Sequence, residues 1–158
     1  MFIDQQACDA FWRAYLAQLS REHRHHSLRA DAFAFGSTPA SADELAALAV
    51  AGRKCATTSL PIEFTALGEP LPRVGDVSII ARGDGAPVAI IERTQVESRA
   101  FDDVDQAYAT IEGEGDGTLE YWRRVHLEYF HWVCQQFGGS FDGRTTVLCQ
   151  VFRVVWPR

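Results

Sequence analysis

The chain has 158 residues, a formal charge of −6 and a pI of about 5.3, with 47% hydrophobic and 23% charged residues. That length and balance fit one domain with a real core. The acidity argues against non-specific attraction to long nucleic acid, so DNA is not expected as a partner.

No apolar run approaches the length of a membrane span. The opening "MFIDQQACDA" lacks a signal peptide's basic start and apolar centre, and a cytoplasmic protein is expected. Cys8, Cys55, Cys134 and Cys149 are scattered without a CxxC pair and read as buried thiols.

In chain order, Cys8, Phe11, Trp12, Tyr15 and Leu19 recur at helical spacing and predict an amphipathic helix from near Asp4 to around His25. The basic run "REHRHHSLR" that follows reads as cations complementing the end of that helix. "FAFGSTPAS" reads as a loop. "SADELAALAVAG" predicts a short helix, with Ser41 and Glu44 as a capping box and Gly52 at its stop. "KCATTSL" is short and β-branched, a strand, and "PIEFTALGEPLPRVGD" is a loop punctuated by Pro and Gly.

"VSIIAR", the turn "GDGAP" and "VAIIERTQVES" predict a hairpin. "FDDVDQAYATI" predicts a short helix capped by Asp102 or Asp103. Leu119, Trp122, Val125, Tyr129, Val133 and Phe137 predict a longer one, and "TTVLCQVFRVVW" a closing strand. The expected class is α+β, a small, partly closed β-barrel with helices packed outside.

The stretch "IEGEGDGTLEYWRR" sets Glu112, Glu114 and Asp116 between glycines and then starts a helix. A glycine-rich loop before a helix usually attracts anions, which these carboxylates would repel. Counted as a calcium loop, Glu112, Glu114, Asp116, Gly117 and Leu119 fall in place, but Arg123 occupies the position of the bidentate glutamate. No metal and no cofactor are therefore expected. Helix capping accounts for Asp116 and Thr118. Glu112 and Glu114 leave room for a positioned carboxylate that needs a partner. "AGRKCATTS" offers one: strand alternation places Lys54 with Ala56 and Thr58, and Cys55 with Thr57 and Ser59.

Three segments, "FGSTPASADELAALAVAGRKCATTSL", "GEPLPRVGDVSII" and "FDDVDQAYATIEGEGDGTLEYWRRVHLEYF", together resemble ASCH-domain proteins. The resemblance covers residues 33–158 and makes residues 1–32 an N-terminal helical extension. It implies a PUA-like fold whose cleft suits RNA or a nucleobase, with the family's Gly-x-Lys matched by Gly52-Arg53-Lys54. Bacterial members include amidohydrolases that remove the acetyl group from 4-acetylcytidine. Their lysine, threonine and loop glutamate fall on Lys54, Thr57 and Glu114, with Glu112 as the fallback. Longer relatives are ribonucleases whose hydroxyl would be Thr118.

A nucleoside or RNA is thus the expected partner, with Arg53, Thr118 and Glu112 as binding residues. A non-catalytic RNA-binding module, with Trp122 or Tyr121 stacking a base, is the alternative. One departure stands out: the short amidohydrolases carry an arginine where this chain has Ser59.

Chemically, Thr57 would be the nucleophile. Either neutral Lys54 deprotonates it, or Glu114 is the base and charged Lys54 stabilises the oxyanion. The second route asks for no shift in the lysine pKa.

Overall fold

The computed structural model describes residues 2–157. Five strands form one mixed sheet in the order β1-β3-β4-β5-β2. They are β1 (Asp31–Phe33), β2 (Ala56–Ser59), β3 (Val77–Ala81), β4 (Pro87–Ala100) and β5 (Thr146–Trp156). β1 runs parallel to β3, whereas β3 pairs antiparallel with β4 and β2 antiparallel with β5. The expected barrel does not form, since the sheet stays open. Its edge strands have only three and four residues, too little ladder for β1 and β2 to close on each other.

The chain divides into two compact units. One comprises the residues up to Gly52, Gly75–Arg93 and those from Arg153 onward; the other comprises Arg53–Val74 and Thr94–Phe152.

In the first unit, α1 (Gln5–Leu16) is capped by Asp4, whose side chain accepts from the Ala7 amide at 2.9 Å. It lays Cys8, Phe11, Trp12 and Tyr15 on Ile79, Ile90 and Val155, the stripe its spacing predicts. The helix stops earlier than expected. From Ser20 to Ser27 no apolar residue continues the buried face. Arg24–Ser27 is instead a separate 3-10 turn that buries His25, whose Nδ1 meets the Tyr15 hydroxyl at 2.8 Å. The basic run also has a specific role here, because Arg24 and Arg153 both bond the carboxylate of Glu92.

α2 (Pro39–Val50) begins one turn earlier than predicted. Thr38 and Ser41 form the capping box in place of Ser41 and Glu44, and Pro39 supplies a helical φ at the first position. Part of the predicted loop before it is β1, held by its pairing with β3.

In the second unit, α3 (Ile62–Thr65) interrupts what read as a loop. α4 (Gln106–Glu112) is capped by Asp105 in place of Asp102 or Asp103, because Phe101–Asp103 forms a 3-10 turn that buries Phe101. α5 (Leu119–Phe137) packs Trp122, Phe130 and Val133 against Phe101, Tyr108, Phe141, Val147 and Cys149. Among the described residues no cysteine is in a disulfide; Cys8 and Cys149 are buried as expected, while Cys55 and Cys134 are half-buried.

Phe130 meets four aromatic rings, those of Phe101, His126, Tyr129 and Phe141. Phe130→Ala is expected to cost about 3–5 kcal/mol of unfolding free energy by denaturant titration. A loss below about 1 kcal/mol would contradict this packing.

Candidate functional site

Three chain segments make the site, all in the second unit: the entry to β2, the end of α4 with the loop after it, and one face of α5. The segment leading into β2 is pinned through Cys55, whose amide donates to the Ile111 carbonyl at 3.0 Å and whose carbonyl accepts from the Phe152 amide at 2.8 Å. This holds Lys54 against the last turn of α4. The helix ends at Glu112 because Gly113, with φ +70°, takes the left-handed cap conformation. A Cβ on Gly113 would collide with the Arg53 carbonyl, and one on Gly115 with the Tyr121 ring. Gly113 and Gly115 are therefore there for close approach of backbone to backbone and backbone to ring, whereas Gly117 faces open space and serves its positive φ alone.

The result is a buried charge cluster. Lys54 is 1% exposed, and its Nζ donates to Glu114 Oε1 at 2.5 Å and to Glu112 Oε1 at 3.3 Å. Glu112 is also 1% exposed and accepts from four donors. Lys54 Nζ and His126 Nε2, each at 3.3 Å, serve Oε1. Thr58 Oγ1 at 2.8 Å and Trp122 Nε1 at 2.6 Å serve Oε2. Glu114 keeps 12% of its side chain exposed. Behind Thr58, the Tyr108 hydroxyl donates to the Thr57 carbonyl at 2.9 Å and accepts from the Gln150 amide at 3.2 Å.

Burial would lower the pKa of Lys54, but the charges of Glu114 and Glu112 and their hydrogen bonds outweigh it. The group titrates above its ordinary value and is an ammonium. Burial would likewise raise the pKa of Glu112, yet Lys54 and His126 hold its carboxyl well below the usual range.

Lys54, Glu112 and Glu114, which the resemblance to ASCH-domain proteins implied for one site, thus lie together. Thr57 and Thr58 divide differently. Thr58 pairs opposite Cys149 on the core face and bonds Glu112, whereas Thr57 pairs opposite Gln150 and is half-buried on the alternate face of β2. Arg53 is exposed. Thr118 is occupied as the cap of α5: its hydroxyl accepts from the Tyr121 amide at 3.1 Å and donates to Asp116 at 2.7 Å. Trp122 is buried and its indole nitrogen bonds Glu112, so it is not a surface for stacking a base. The reading of the sequence missed His126 and Tyr108. The signal available for His126 was its place four residues after Trp122 on the same helix face.

A mixed sheet with flanking helices and a buried lysine–carboxylate cluster where a strand meets a glycine loop make this an α+β protein. The ASCH domain family model matches residues 31–156, and the chain belongs to that family. ASCH domains are associated with RNA.

The chain is similar to the ASCH domain from Lactobacillus crispatus JV V101, with 30% identity, 97% of this chain and 96% of that one covered, and a TM-score of 0.87. It is similar also to protein EF3133 from Enterococcus faecalis V583, with 30% identity, 96% and 89% covered, and a TM-score of 0.82. No curated protein matches. Among the described residues no helix is long and apolar enough to cross a membrane.

Gly113→Ala is expected to destabilise the protein by more than about 1 kcal/mol, since it combines a positive φ with a backbone clash. A variant as stable as the parent in denaturant titration would contradict the geometry.

The folded-state pKa of Glu112 is depressed, so its stabilisation is present above the ordinary carboxylate value of roughly 4.3 and is lost as pH falls below it. Glu112→Gln should flatten the acid limb of stability against pH. An unchanged acid limb would contradict the buried anion.

Proposed function

We propose that this chain is a hydrolase acting on a nucleoside or RNA, and that its reaction is removal of an acyl group from N4-acylated cytidine. The observation that carries the reading is the 2.5 Å contact between Lys54 and the partly exposed Glu114. An ammonium cannot accept a proton, so Lys54 is not the base. Glu112 has its lone-pair directions taken by four donors, so it is not the base either. Glu114 remains.

In this route Glu114 removes a proton from a water molecule, whose oxygen adds to the acyl carbon. Lys54 stabilises the negative charge that develops on the acyl oxygen. The carbon–nitrogen bond then breaks, and the proton held by Glu114 passes to the departing N4 nitrogen, giving cytidine and a carboxylic acid. Thr57 and Arg53 act as substrate contacts, and the attacking oxygen belongs to water.

Two features favour this reading over its alternatives. The Thr118 hydroxyl, needed by a ribonuclease of the kind the resemblance implies, is committed to capping α5. A lysine neutralised by two carboxylates is also a poor grip for phosphate, which a purely binding module would need.

The test is release of cytidine from 4-acetylcytidine by the purified protein. Glu114→Gln should lower kcat by about 10²–10⁴, the usual worth of a general base. Thr57→Ala should mainly raise KM. Full turnover in Glu114→Gln would overturn the assignment of the base. Cleavage of single-stranded RNA without cytidine release would overturn the substrate.

A further inference from the structure

We propose that His126 is an imidazolium at neutral pH that fixes Glu112 as the counter-ion of Lys54, a positioning residue that leaves Glu114 as the carboxylate free for proton transfer.

His126 lies on α5, only 6% exposed, with its ring stacked on Trp122 at 4.2 Å between centroids. Its Nδ1 sits 2.8 Å from the Trp122 carbonyl oxygen, and its Nε2 sits 3.3 Å from Glu112 Oε1. A backbone carbonyl has no proton to give. Neither has Glu112, because its other three partners, Lys54, Thr58 and Trp122, all donate to it. Both ring nitrogens must therefore carry protons, and a ring with two N–H groups is cationic. A neutral imidazole in either tautomer would face one of these two oxygens with a lone pair, leaving a buried acceptor–acceptor contact.

The charges then balance. Lys54 and His126 are the two cations and Glu112 and Glu114 the two anions, packed together with little solvent. Glu63 also faces His126 through its charge; it is held by the Tyr129 hydroxyl at 2.7 Å and the Leu60 amide at 2.6 Å. The Tyr108 hydroxyl meets Thr58 at 3.1 Å, and burial and the charge of Glu112 oppose its ionisation, so it stays neutral. Burial by itself would discharge His126, but the charge and hydrogen bond of Glu112 outweigh it and move its titration above the ordinary histidine value.

With His126 on one oxygen edge and Trp122 on the other, the Glu112 carboxylate cannot rotate away from Lys54. The charge assignment stands by itself, while its consequence for Glu114 rests on the hydrolase reading above.

The test is a ¹⁵N NMR titration of the histidine rings in the intact protein, with no substrate present. About one unit above the ordinary histidine pKa of roughly 6.5, His126 should still show two protonated ring nitrogens. A single protonated nitrogen there would overturn the proposal. In Glu112→Gln the same ring should become neutral at that pH, and persistence of the imidazolium would overturn the role of Glu112.

His126→Asn keeps a donor for the Trp122 carbonyl but carries no charge. In it the Lys54 ammonium protons should exchange with solvent at least about tenfold faster. Unchanged exchange would show that His126 does not position the pair. Absence of cytidine release would sink the hydrolase reading and leave these spectra to decide the imidazolium separately.

Discussion

The structure around the site depends on one constraint, the burial of the Lys54 ammonium away from water. A charge in that position is tolerated only when it is paired and hydrogen-bonded, and removing one partner of such a pair typically costs about 3–5 kcal/mol. Two carboxylates from one turn of chain meet this need. Their approach sets what comes next in the sequence: a helix that must stop at Glu112, a left-handed glycine directly after it, and a second glycine under the Tyr121 ring. The acidic glycine loop is the covalent consequence of a buried cation.

The two carboxylates differ although only Gly113 separates them. Glu112 is enclosed by four donors from four different residues and behaves as a fixed anion. Glu114 is partly open and meets Lys54 through one short contact. Environments that divide neighbouring titratable groups in this way are how one site assigns separate roles to chemically equal side chains. Trp122 and His126, one helical turn apart on α5, produce the division, so the long helix shapes the electrostatics of the site as well as the core.

Much of this was legible in the sequence. The punctuation by glycine left room for a positioned carboxylate, the resemblance to ASCH-domain proteins through Gly52-Arg53-Lys54 paired it with Lys54, and apolar periodicity located α1, α5 and the β3–β4 hairpin. What stayed hidden has physical causes. β1 has three residues and gains its identity from pairing with β3, a contact far away in sequence. The cap of α2 was misplaced because Ser41 and Glu44 match the capping pattern as well as Thr38 and Ser41 do, and Pro39 decides between them. Openness of the sheet depends on edge pairing that no local pattern encodes. His126 escaped notice because a histidine on an apolar face looks like ordinary core until the carboxylate beneath it is known.

Lys54 is an ammonium in the resting protein, and its partner carboxylates keep it so. Direct ¹⁵N detection of the Lys54 side-chain nitrogen near neutral pH tests this. An ammonium signal, protected from solvent exchange, is expected. The chemical shift of a neutral amine would contradict it and return the lysine to the role of base.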